Sequence, residues 1–126
     1  MVGQNAGTGR GGLTRATGIT TERHSWGRLE WMVSDAAGNS DTLTVGKCFI
    51  GRGQQNPPHH HPNCDEVLHV VRGTIVHRVD EQYVDMGPGD TISIPSGCVH
   101  NARNSGSGEA EMIICFSTAR REVVGE

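Results

Sequence analysis

The stretch GQQNPPHHHPNCDEVLHVVRG, residues 53–73, decides how this chain folds. Side chains alternate faces along an extended strand, so His59 and His61 point the same way and can grip one cation between them, while His60 points the opposite way. A residue that precedes proline is pushed out of the helical region, and Pro58 and Pro62 impose this on Pro57 and on His61 itself. The imidazole arm is therefore extended and stiff. Since proline donates no ladder hydrogen bond, residues 57–62 are expected at a strand end or a sheet edge, near the rim of a barrel.

A second stretch, GDTISIPSGCVHNARN at residues 89–104, sets His100 among Gly89, Pro95, Gly97 and Asn104. The first stretch sets His59, His61 and Glu66 between Gly53 and Gly73. Taken as a pair, the two resemble the signature motifs of the cupin superfamily, in the form of a small single-domain member, with every defining position filled. That resemblance implies an all-β fold, a double-stranded β-helix or jelly-roll barrel. It further implies that His59, His61, Glu66 and His100 bind one divalent transition metal ion per chain. Three imidazoles and a carboxylate suit iron, manganese, nickel, cobalt or zinc, and they leave positions open for a substrate, oxygen or hydroxide.

The rest of the chain is consistent with a barrel. With 126 residues it makes one domain, and a hydrophobic fraction of 34% with 18 glycines suits short strands and tight turns better than a helical bundle. Strands are expected at 29–34, 42–50, 66–72, 74–79, 83–86, 91–94, 98–103 and 110–117, each short, β-branched or alternating and bounded by turn formers. No window carries a sustained helical period. Residues 1–28, rich in glycine, threonine and arginine, read as a flexible segment ahead of a barrel domain at 29–126. A chain this small gains from burying more apolar surface between copies, so a homodimer is expected.

Several function classes are excluded. A net charge of -3 with a single lysine, Lys47, does not suit nucleic acid. Gly7, Gly9 and Gly12 match a dinucleotide pattern but lack the strand and helix that such a site needs. No segment approaches a membrane span, and the amino terminus shows no charged region followed by an apolar run, so a cytoplasmic protein is expected. Cys48, Cys64, Cys98 and Cys115 show no metal-type or disulfide-type spacing and read as free thiols that fill space.

Alternation assigns further residues. If Glu66 faces the metal, Leu68 and Val70 share its inner face, and His69 points outward. On the following strand Ile75, His77 and Val79 share a face, which makes His77 the candidate acid or base beside the site. Glu66 is the second catalytic candidate, able to exchange a proton if it detaches from the ion. The resemblance implies a metal-dependent enzyme acting on a small oxygenated organic molecule, dioxygenase-like or a lyase, isomerase or decarboxylase. The alternative is a non-catalytic protein that binds a small molecule through the same ion. Arg52, Arg72 and Arg78 are candidate anchors for an anionic group.

Overall fold

Two antiparallel sheets face each other, and the site lies between them at one end. The structure, a computed structural model, describes residues 5–8 and 11–125. In chain order its strands are β1 (Asn5–Thr8), β2 (Gly11–Thr14), β3 (Thr20–His24), β4 (Gly27–Val33), β5 (Thr44–Ile50), β6 (His59–His60), β7 (Glu66–Arg72), β8 (Ile75–Val79), β9 (Gln82–Met86), β10 (Thr91–Ile94), β11 (His100–Asn104), β12 (Ala110–Phe116) and β13 (Val124–Gly125). β1 and β2 form a ladder of their own, in which Gly7 pairs with Gly12, so these two glycines of the dinucleotide pattern sit in a hairpin. The larger sheet runs β10-β7-β12-β5-β4-β3 and the facing sheet β13-β6-β11-β8-β9. All of this fits the jelly-roll expected from the two motifs.

The eight expected strands are β4, β5 and β7 to β12, with ends displaced by no more than two residues. One expectation is corrected. The sheet begins not at Leu29 but at Thr20, because β3 pairs along its whole length with β4, from Thr20 opposite Trp31 to His24 opposite Gly27. All five β3 side chains are exposed, so no alternation of apolar residues announces the strand. β6 and β13 are two residues each, too short to leave a pattern. Residues 57–62 do not form the outermost edge, since β13 pairs outside β6, with Val124 opposite His60.

The core is the sum of the inward faces. On β7 burial alternates as predicted, with Glu66, Leu68 and Val70 buried and Val67 and Val71 exposed. Cys48 and Ile50 from β5 and Met112, Ile114 and Phe116 from β12 extend that face, against Ile75, Met86 and Ala102 of the other sheet. Ile50, Ile75, Met112 and Val70 are fully buried, and each such side chain is worth on the order of 1.5–3 kcal/mol relative to exposure. One close approach needs glycine. A Cβ on Gly46 would stand 2.6 Å from the Trp31 ring, which lies across the ladder from it. No helix among the described residues is long and apolar enough to cross a membrane.

The motif residues that are not metal donors hold the frame. Asn104 is buried and donates from Nδ2 to the carbonyls of Ile50 (2.9 Å) and Gly108 (2.8 Å), while its Oδ1 accepts from Gly106 N (2.9 Å). Both of its N–H donors and its carbonyl oxygen are thus engaged at that corner. Gly97, at a φ of +85° that glycine adopts freely, donates its N–H to the carbonyl of His61 at 3.0 Å. Ser96 Oγ donates to the Pro62 carbonyl at 2.9 Å. The turn that leads to His100 is thus bonded to the strand end that carries His61.

Candidate metal centre

Four side chains from three strand ends converge. His59 lies on β6, His61 directly follows it, Glu66 opens β7 and His100 opens β11. β6 and β11 are neighbours, with His59 opposite His100, whereas Glu66 reaches in from the facing sheet. One donor atom from each residue can be chosen so that all lie within 4.8 Å of one another. His61, Glu66 and His100 are about 3–5% exposed, and His59 is half-buried on the cavity side. The spacing read from the sequence therefore corresponds to one real cluster.

Backbone carbonyls fix how the three imidazoles point. His59 Nδ1 is 2.8 Å from the carbonyl of Pro57, His61 Nδ1 is 2.8 Å from that of Glu122, and His100 Nδ1 is 2.9 Å from that of Cys98. A carbonyl only accepts, so each Nδ1 carries the proton and each Nε2 is left for a ligand. His61 Nε2 stands 3.2 Å from Glu66 Oε1, yet it is buried without a hydrogen-bond partner. A buried polar atom in that state calls for something to satisfy it, and a cation does so for the lone pair and the carboxylate at once. The donor chemistry fits one divalent transition metal ion.

The charges support this. Burial alone would raise the pKa of Glu66, but the imidazoles of His100, at 2.9 Å, and His61, at 3.2 Å, outweigh it and hold the carboxyl at about 2. Burial alone would likewise lower His100, but with no metal bound the Glu66 carboxylate 2.9 Å from its Nε2 stabilises the doubly protonated ring and raises its pKa above the ordinary value. His59 is pushed down by burial to about 4, so it is a neutral ligand at physiological pH.

His77 also stands where alternation put it. It is 1% exposed, and its ring lies 6.0 Å from that of His100 at 16° between planes. Its strand partner is Ala102, small enough to leave both rings room on one face. Burial pushes its pKa down to about 4, and its Nδ1 has no hydrogen-bond partner. The outward His69 bonds Thr91 Oγ1 at 2.7 Å and takes no part.

An acid prediction follows for the metal-free protein. His59 and His77 titrate near 6.5 when unfolded and near 4 when folded, so their contribution to stability is intact above pH 6.5 and lost as pH falls towards 4. His100, with its raised value, contributes in the opposite sense. Urea unfolding of chelator-treated protein is expected to show stability falling by about 2–4 kcal/mol from pH 7 to pH 5. His77→Gln should remove part of that fall, and an unchanged pH dependence in this variant would contradict the assignment.

A cavity of about 360 Å³ opens over the cluster. His59, His61, Glu66, His77 and His100 line its floor, and Trp31 and Phe116 are among its walls. Arg52, Arg72 and Arg78, the arginines that the sequence suggested, do not line it. Arg72 instead pairs with Glu109 at 3.2 Å, and Arg78 Nε donates to the carbonyl of Asp80 at 2.7 Å. The arginine that does line it is Arg121, joined by Glu22, His24 and Trp26 from the segment read as a tail. The four cysteines are free, and burial raises the pKa of every thiol, so none is poised as a thiolate.

Comparison with known proteins agrees with this geometry. The Cupin domain family matches residues 47–116. Germin-like protein 3-8 of Oryza sativa subsp. japonica is 32% identical over 91 residues, which are 68% of this chain and 40% of that protein. Germin-like protein subfamily 2 member 1 of Arabidopsis thaliana is 33% identical over 87 residues, 64% of this chain and 39% of that protein. The chain thus spans about two fifths of the length of these relatives. Among solved structures, the Lactobacillus farciminis oxalate decarboxylase formate complex superposes with a TM-score of 0.82 at 17% identity, over 89% of this chain and 35% of that one. A recombinant oxalate oxidase in complex with glycolate does so with a TM-score of 0.73 at 22% identity, over 82% of this chain and 57% of that one.

Proposed function

The chain belongs to the cupin domain family, and from that premise we propose that it is a metal-dependent enzyme acting on a small oxygenated organic molecule, by dioxygen-consuming or decarboxylating chemistry. The observation that carries this reading is the convergence of three carbonyl-oriented imidazoles and one carboxylate at the floor of a cavity. In it His59, His61, Glu66 and His100 hold the ion. When bound, the ion supplies Lewis-acid or redox chemistry to a substrate oxygen.

The remaining roles belong to the chain's own side chains. Trp31 and Phe116 wall the cavity with apolar ring surface. His77, neutral at physiological pH and with Nδ1 unengaged, is placed to take a proton at that nitrogen. Glu66 is the carboxylate through which His61 and His100 are held together, and it is the second group able to carry a proton. The relatives' names support small oxygenated acids as the first substrates to try, since the neighbouring structures include an oxalate decarboxylase and an oxalate oxidase.

The test uses protein reconstituted in turn with manganese, iron and zinc and incubated with a panel of small keto, hydroxy and dicarboxylic acids. Dioxygen uptake and carbon dioxide release are followed together. Metal-dependent turnover of one acid by either readout is expected, with His77→Gln lowering kcat more than KM. Saturable binding of acids without turnover under any of the three metals would instead support a binding protein.

A further inference from the structure

We infer that Arg121 is the carboxylate anchor of this cavity, so that the molecule it accepts is a small carboxylate held by its acid group at Arg121 and by another oxygen at the four-residue cluster. The inference rests on the proposed function for its second contact only.

Arg121 differs from the other paired arginines of the chain. Its neighbour Arg120 makes two bonds to Asp35, at 3.1 and 3.2 Å, and Arg28 bonds Glu30 and Glu109, both at 3.1 Å. Arg121 is half-buried and has no hydrogen-bonded carboxylate among the described residues. Instead its guanidinium lies on aromatic faces, 4.2 Å from the Trp31 ring centroid and 5.5 Å from that of Phe116. Stacking engages the face of a guanidinium and leaves its N–H edge to grip an anion.

Glu22 and Glu66 attract Arg121 through their charge, but neither is hydrogen-bonded to it. Glu22 lines the same cavity, but its Oε2 is 2.6 Å from His24 Nε2 and its Oε1 accepts from Trp31 Nε1 at 3.4 Å. A half-buried guanidinium whose N–H edge has no carboxylate acceptor is costly unless a ligand supplies one. The surface that carries Arg121 leads to the cluster, since the Phe116 ring lies 5.0 Å from the His61 ring. A cavity of about 360 Å³ is at the small end for ligand sites, which suits an acid of a few heavy atoms.

The test compares glycolate with its neutral amide, glycolamide, by calorimetry on metal-loaded and on chelator-treated protein. Wild type should bind glycolate more tightly than glycolamide. Arg121→Gln should weaken glycolate about tenfold to a hundredfold, the span of one charge-assisted contact, and leave glycolamide and metal content unchanged. Arg121→Lys, which keeps the charge but not the fork, should fall between. Melting curves show whether each variant is folded. Equal binding of glycolate by folded Arg121→Gln and wild type, or no preference for glycolate in wild type, overturns the anchor. A wild-type protein that takes up no metal overturns the proposed function, while the dependence of glycolate binding on Arg121 is still read from the chelator-treated arm.

Discussion

His100→Ala protein should come through dialysis almost free of metal while remaining folded. His100 contributes one of four donors, so its loss must exceed the roughly 10–100-fold that removal of an outer partner costs a metal site. The substitution also withdraws the imidazole that stands 2.9 Å from Glu66 Oε1. The nearby imidazoles of His100 and His61 are what keep Glu66 ionised against its burial, and with one gone the carboxyl should titrate well above the value of about 2 that it now has. Breaking a buried, paired charge costs about 3–5 kcal/mol, a loss that the core of the two facing sheets can absorb in part because Glu66 can take up a proton. Elemental analysis and circular dichroism read the two effects separately. Wild-type metal content in a folded His100→Ala protein would remove the four-ligand assignment.

Cutting the chain after Ala119 should weaken metal binding about tenfold to a hundredfold without touching a ligand. The removed segment straps the ligand strand from outside. Glu122 supplies the carbonyl that His61 Nδ1 meets at 2.8 Å, and β13 pairs with both residues of β6. Asn63 ties the strap down, accepting from Glu122 N and donating to the Arg120 carbonyl, both at 2.9 Å. Without it His61 loses its orienting acceptor, and either tautomer and several ring rotations become available at the cluster. A competition titration against a coloured chelator measures the change. Asn63→Ala, which frees the strap and keeps every residue of it, should shift affinity in the same direction by a smaller factor.

The two effects differ in how legible they were beforehand. The ligands could be read from sequence because strand alternation puts His59 and His61 on one face, and because the resemblance of the two spaced motifs to the cupin signature adds Glu66 and His100. His77 was legible for the same reason, being two residues from Ile75 on a strand whose inward face is apolar. The strap and the mouth were not. β3 is all exposed and β13 is two residues long, so each exists through pairing, β3 with the adjacent β4 and β13 with the distant β6, rather than through a pattern of its own. Arg121, Glu22, His24 and Trp26 reach the cavity only by way of those pairings. Charge alone pointed to Arg52, Arg72 and Arg78 instead, none of which lines the cavity, and Arg72 and Arg78 bond to nearby acceptors outside it.

The most direct measurement is a crystal structure of the protein reconstituted with manganese, with anomalous data collected to locate the ion. One anomalous peak per chain is predicted, bounded by the Nε2 atoms of His59, His61 and His100 and by the carboxylate of Glu66. No peak at saturating metal, or a peak bound by other residues, would contradict the account.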